Sequence, residues 1–374
     1  DRSVSRGLGD VYKRQGRLGI CLALLIERAG FDVIASDVRE DYVERLQNKV
    51  IFTNEPHVQD YLSQSENIEF TTDNQKLIDE SDIIFTLVQT PSLEDGSYDV
   101  SAVWKVVQDL QNSNTKGKSF VVGCTTNPGD CDEFQKMLDM DVYYNPEFIA
   151  QGSIIKDLQN ADMVLLGGKG KHLDVLKELY YLIQFGFKDA NVHTMSAKAA
   201  ELTKIAVNCF LTTKISYANM IGEVLALSKL DDEIDIVLNA IGSDSRIGKK
   251  YLNFGFGFGG PCFPRDNRAF AAHAKSVGVQ HNIGFTTDAF NEEHAEFIKE
   301  YFMHKNKKHL PFAFKYLTYK PGIDILTESQ QYRLCVDLLN EGYHVYCMDD
   351  AIIHLCDDRI IFEEPTEEVY WINL

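Results

Sequence analysis

Cys262 is the residue of this chain with the most chemistry around it. It stands in GFGFGGPCFPRD, where glycines crowd a single thiol and Arg265 and Asp266 follow within one helical turn. A stretch so poor in side chains packs little of its own, yet it can hold backbone open around a reactive group. A cysteine thiolate can attack an aldehyde, hold the thiohemiacetal through a further oxidation, and leave from a thioester. The other seven cysteines are expected to be small buried hydrophobes. Lys204 and Asn208 lie four apart in a helical segment, so a cation and an amide share one face and could steady a developing oxyanion. The same pair would also suit a plain solvated face. Glu147 in YYNPEFIAQG follows an apolar run, at the strand edge where α/β sheets carry ligands. It is placed to act as a general base, or simply to cap a helix.

A second group of residues suits a dinucleotide. Gly16 and Gly19 fit the second and third glycines of G-x-G-x-x-G, where missing side chains let backbone approach a pyrophosphate and helix pack on strand. Asp37 closes the next strand, where a carboxylate accepts from a ribose 2′-hydroxyl. Arg39 would welcome a 2′-phosphate, but the acidic strand end repels one, so NAD is expected over NADP. Arg246, Lys249 and Lys250 in DSRIGKK and Lys320 in YKP supply positive charge for a diphosphate.

The elements that must position these groups alternate. GRLGICLALLIERAG reads as a glycine turn opening a helix, with Leu18, Leu22, Leu25 and Ile26 at helical spacing, and FDVIASD as a buried strand. IEFTTD, DIIFTLVQTP, SFVVGCTT, MDVYYNPEF, DMVLLGG and NVHTM follow as strands, with a helix near residues 101–112. Such alternation predicts a parallel, doubly wound sheet. Ser196 is a plausible N-cap for one long helix running to SKL, with more helix to about residue 242 and again from the cysteine loop to about 304. PFAFKYLTYKP, a helix over 328–341, YHVYCMDD and RIIF return to α/β character. The division expected is a dinucleotide-binding domain over 16–195, a helical domain carrying the cysteine loop over 196–304, and a short α/β domain over 305–374. Residues 1–15 are polar, lack a hydrophobic strand, and end in DVYKRQ, which resembles a translated sequencing adaptor. They are expected to be a leader foreign to the fold, replacing the first glycine and first strand.

A net charge of −19 opposes binding to nucleic acid or an anionic membrane. Eight cysteines without a C-x-x-C pair suggest neither a disulfide scaffold nor a zinc site, and no metal is expected. With no apolar run long enough to span a bilayer and no signal-peptide pattern, a cytosolic protein is expected.

Taken in order, GRLG with LALLIERAGFDVIASD, Glu55–Pro56, VQTPS with DGSYDVS, CTT, NPEF, AELTKIAVNCF, SDSRIGKKYL, GFGGPCFPRD and YKPGIDILTES resemble the UDP-glucose/GDP-mannose dehydrogenase family over nearly the whole chain from Gly16. The resemblance implies two Rossmann-like domains joined by a long dimer-forming helix, a homodimer, NAD as cofactor, and four-electron oxidation of a nucleotide-sugar alcohol to a carboxylate, UDP-glucose being the expected substrate. GDP-mannose or a UDP-N-acetylhexosamine are rivals, as are a two-electron 6-phosphogluconate-type dehydrogenase and a non-catalytic binding protein. Residue by residue, it implies Cys262 as nucleophile, Asp266 positioning water, Lys204 and Asn208 at the oxyanion, Glu147 as base, and Thr125 at the nicotinamide and water site. Thr90 and Arg265 would join Gly16, Gly19, Asp37 and Thr125 around the cofactor. Phe148, Arg246, Tyr251, Gly259 and Lys320 would join Lys204 and Asn208 around the sugar nucleotide, Arg246 across a subunit interface. Departures are Pro261 before the nucleophile where the family has Ser, Arg265 for Lys, Thr327 where the family has Arg, and Gln151 for an acid.

Overall fold

The computed structural model describes residues 8–10, 18–149, 152–184 and 191–374. Gly16 and Gln151 lie outside them. The chain forms two compact units, residues 1–204 and 205–374. We keep the three-part division as a proposal.

The first unit begins with β1 (Leu8–Asp10), α1 (Leu18–Arg28), β2 (Val33–Ser36), α2 (Glu40–Gln47), α3 (Val58–Gln64) and β3 (Ile68–Thr71). Next come α4 (Asn74–Glu80), β4 (Ile83–Thr86), α5 (Ser101–Gln111), β5 (Ser119–Val122), α6 (Asp130–Met137) and β6 (Asp141–Tyr144). It closes with α7 (Ile154–Gln159), β7 (Val164–Gly167), α8 (Leu173–Ile183) and β8 (Val192–Met195). The sheet runs β3-β2-β1-β4-β5-β6-β7-β8, the doubly wound arrangement in which the strand order reverses beside β1.

Strand side chains alternate between two cores, as a period of two requires when helices cover both faces. Ile83 and Phe85 of β4 and Val121 of β5 join α1, α7 and α8, and Ile84, Phe120 and Val122 join α5 and α6. Helix α1 is buried from Gly19 to Ile26, which explains why its apolar residues outnumber a single stripe.

Two expectations are corrected here. Leu8–Asp10, within the stretch read as strandless, pair in parallel with both β2 and β4. Backbone pairing needs no apolar side chain, so hydropathy gave no sign of it. The sheet is also not parallel throughout, because β7 meets β6 antiparallel at Tyr144 and Gly167.

Helix α9 (Ala197–Leu227) has 31 residues. Its start is capped as expected, the Ala199 N–H donating to Ser196 Oγ at 3.3 Å. The second unit continues with α10 (Ile234–Gly242), α11 (Phe263–Ser276) and α12 (Ile283–Lys305), then β9 (Phe312–Phe314), α13 (Gln330–Asn340), β10 (Val345–Cys347) and β11 (Tyr370–Trp371). Strand β9 lies between β10 and β11, all parallel, over a core of Phe302, Phe312, Phe314 and Leu338. RIIF, read as a strand, makes only one bridge, Ile361 to Tyr346. Its first residue, Arg359, is gripped by Asp357 in a turn, and Ile360 turns into the core.

Of the eight cysteines, Cys262 is exposed, Cys356 half-buried and six are buried. No helix among the described residues is long and apolar enough to cross a membrane.

Candidate active site

In the first unit the sheet sets the positions. Asp37, Thr90, Thr125 and Glu147 follow the C-terminal ends of β2, β4, β5 and β6 within a few residues, the edge where open α/β sheets hold ligands. Asp37 is buried and takes Arg39 in a two-pronged ion pair, Nε to Oδ1 and Nη2 to Oδ2, both 3.0 Å. That hydrogen bond raises the Arg39 guanidinium further above its ordinary value, and the guanidinium also lies 4.3 Å over the Tyr42 ring. Gly19, Ile20, Ala35, Asp37 and Tyr42 line a small hollow there. A carboxylate at this strand end beside a glycine helix start fits the ribose of a dinucleotide.

Thr90 is buried and Thr125 half-buried. The loop after β5 is held from α9 by Glu201, a residue our reading of the sequence passed over. Its carboxylate accepts from Thr126 Oγ1 at 2.9 Å and from the N–H groups of Gly129 and Cys131 at 2.6 and 2.9 Å. Burial nevertheless pushes its carboxyl up to about 6. Its place one turn before Lys204 was the available sign.

Glu147 keeps some solvent access, but the dense surround pushes its carboxyl up to about 7. Tyr180 of α8 lies 3.2 Å from its Oε1. The buried Lys204 donates Nζ–H to the Glu147 carbonyl at 2.9 Å and lies 4.6 Å over the Phe148 ring. Lys204, Glu147 and Phe148 are thus brought together. Glu55 anchors the following turn, accepting from the Gly152 and Ile154 N–H groups at 2.6 and 3.1 Å.

In the second unit Cys262 sits immediately before α11, where the helix N-terminus favours negative charge. Asp266, one turn on, is buried and accepts from Asn208 Nδ2 at 2.6 Å, and Arg265 Nε lies 3.9 Å from its other oxygen. Asn208 therefore does not face solvent; the plain helix-face alternative fails for it as it does for Lys204.

The glycines before Cys262 allow close approach. A Cβ on Gly259 would lie 2.3 Å from the Glu328 carbonyl oxygen. Gly260 has φ +81° and presses on the Tyr319 ring, and its N–H donates to Thr327 O at 3.0 Å. Asn291 clamps Phe258, accepting from its N–H and donating to its carbonyl. Thr327 thus serves the loop through its backbone.

Burial, with Cys262 as an electrostatic neighbour, pushes the Tyr319 phenol up to about 12, so the segment carrying Lys320 lies beside the cysteine loop. Tyr251, at φ +60°, packs edge-on against Phe263. Arg246 is 87% exposed and grips Asp244.

A doubly wound sheet ending on Asp37 and Glu147, with an exposed cysteine at a helix start, defines a dinucleotide-dependent dehydrogenase. Residues 15–184 match the NAD binding domain of the UDP-glucose/GDP-mannose dehydrogenase family, and residues 198–293 match its central domain. The YtcA protein of Bacillus subtilis is 30% identical over 357 residues, covering 90% of this chain and 80% of that protein. The UDP-glucose 6-dehydrogenase of Pseudomonas aeruginosa is 29% identical over 353 residues, covering 89% and 77%. The structure of a UDP-glucose dehydrogenase from Pyrobaculum islandicum superposes with a TM-score of 0.84 at 26% identity, covering 100% of this chain and 87% of that one. The chain belongs to the UDP-glucose/GDP-mannose dehydrogenase family, as an NAD-dependent nucleotide-sugar dehydrogenase.

Proposed function

We propose that the chain oxidises UDP-glucose to UDP-glucuronate in two steps at Cys262. The observation that carries this is the thiol itself: exposed, at the start of α11, one turn before an Asp266 held by Asn208. NAD, when bound, takes up the hydride lost in each oxidation. Cys262 adds to the intermediate aldehyde, so the carbon stays attached as a thiohemiacetal and then as a thioester. Lys204 and Asn208 stabilise the oxygen anion of that adduct. Asp266 orients water, and Glu147, whose carboxyl titrates near neutrality, removes its proton as it cleaves the thioester. Thr125 lines the nicotinamide and water site, with Thr90 and Arg265 further cofactor contacts. Phe148, Arg246, Tyr251, Gly259 and Lys320 contact the sugar nucleotide. UDP-glucose is preferred because relatives that match most of the chain carry that substrate in their names.

The test is NADH formed per sugar across a panel of UDP- and GDP-sugars, with Cys262→Ser beside it. Two NADH per sugar are expected, with UDP-glucose turned over fastest, and a Ser variant that binds both ligands yet makes almost no acid. One NADH with free aldehyde released, or full activity in the Ser variant, would refute the covalent route.

We further propose a homodimer through α9. Phe210, Tyr217, Met220, Val224 and Leu227 are exposed on it and recur at three-, four- and seven-residue spacing, a stripe that a second copy would cover. Phe210→Glu with Val224→Glu should halve the mass measured by light scattering; an unchanged mass would place the interface elsewhere.

A further inference from the structure

His294 of α12 is wholly buried, and the chemistry proposed at Cys262 makes no use of its imidazole. Its ring stacks on Phe290 and Phe297, with centroids 5.9 and 6.2 Å away, and meets the Phe254 ring edge-on at 6.0 Å. For packing alone, another phenylalanine would serve in this aromatic row. A buried imidazole is costly unless its nitrogens are bonded, and both are. Nδ1 lies 2.6 Å from Glu223 Oε1 of α9, and Nε2 lies 2.7 Å from the Gly255 carbonyl oxygen. A carbonyl only accepts, so Nε2 carries the proton that joins ring to loop. Glu223, on the other nitrogen, fixes the rotation that aims the ring.

Gly255 begins the glycine-rich stretch that ends on Cys262. Asn219 of α9 accepts from the Gly255 N–H at 3.0 Å and donates to the Phe256 carbonyl at 3.4 Å. Asn291 of α12 holds Phe258 by its N–H and its carbonyl, at 2.9 and 3.0 Å. Side chains from two helices thus do along residues 255–258 what a neighbouring strand does in a sheet. His294 ties both helices and the loop together at one ring. We propose that His294 is a positioning residue for the nucleophile: aimed by Glu223, it fixes the Gly255 carbonyl and with it the start of the loop that presents Cys262 to the substrate. This rests on Cys262 being the nucleophile.

His294→Gln and His294→Asn separate the two ends of the ring. The amide nitrogen of Gln falls close to where Nε2 stood, and that of Asn close to where Nδ1 stood. His294→Gln should therefore keep kcat close to the wild-type value. His294→Asn should lower kcat about tenfold or more, since a misplacement of about 1 Å costs about 10²-fold, while KM for NAD stays unchanged. Hydrogen–deuterium exchange over residues 254–260 reads the loop without turnover. It should quicken about tenfold in the Asn variant, the net worth of one hydrogen bond, and not in the Gln variant. Equal effects in the two variants would make His294 a packing residue and overturn the proposal, as would an Asn variant with wild-type turnover and exchange. If the Asn variant does not fold, Glu223→Ala decides, at a side chain that keeps some solvent access. Faster loop exchange at a near wild-type melting temperature is expected there, and unchanged exchange would overturn the aiming role. Full activity in Cys262→Ser would remove the thiol as nucleophile, and the exchange measurements would still decide whether His294 holds the loop.

Discussion

The two reactive regions are held in place by different means. Asp37, Thr90, Thr125 and Glu147 hang from strand ends, so a hydrogen-bonded sheet and two apolar cores fix them. Cys262 hangs from a loop, and what fixes it is contact at near van der Waals limits: Gly259 against Glu328, Gly260 against Tyr319, and Asn291 on Phe258. Strand ends tolerate side-chain change because the backbone ladder is indifferent to it. The loop tolerates little at Gly259, because that glycine faces backbone, which cannot rotate aside.

The contrast can be broken most severely at Gly259. Gly259→Ala puts a Cβ 2.3 Å from a carbonyl oxygen, so the loop must move, three residues from Cys262. A misplacement of about 1 Å costs on the order of 10²-fold in turnover, with about 1–3 kcal/mol of stability lost by overpacking. Gly255→Ala, in the same stretch but with no atom within 4 Å of the new Cβ, should be close to neutral in both. Steady-state NADH formation and thermal unfolding read the pair; equal losses would mean that composition, not clearance, matters.

At the sheet edge the smaller effect is one of charge. The Glu147 carboxyl lies at about 7 in the fold against 4.5 ordinarily, raised by burial, so between those values the folded state binds more protons than the unfolded one. Stability therefore falls as pH rises from about 4.5 to about 7 and stays lower above. Glu147→Gln removes that dependence and should be the more stable protein at pH 8, with the advantage vanishing near pH 4. Urea unfolding across this range measures it; parallel pH curves would show that the surround does not penalise the charge.

The same contrast governs what could be read from the sequence. Strands such as DIIFTLVQTP and SFVVGCTT and the long helix α9 were legible because burial on both faces, or a helical period, leaves a pattern in residue type. The placements of Asp37, Glu147, Lys204, Asn208 and Cys262 were legible because each stands at an element end or on one helical face. The bonding roles of Tyr180, Glu55 and Asn291 were not. Each acts on backbone or side chains distant in sequence, as Glu55 does on Gly152 and Ile154, and residue type alone carries no record of such a partner. The strand Leu8–Asp10 and the two-residue β11 escaped for a related reason: pairing of so few residues rests on main-chain groups that every sequence has.

Glu201 carries a consequence for solvent exchange. The amides of Gly129 and Cys131 sit at the start of α6, where a helix leaves its first N–H groups without partners of its own. Both are instead covered by a carboxylate about seventy residues further along the chain, on α9. Their exchange with deuterium therefore times the undocking of the first turn of α9, not the fraying of α6. Two slow amides at a helix start, where fast ones are the rule, make a built-in clock for the attachment of the long helix to the sheet that carries Thr125.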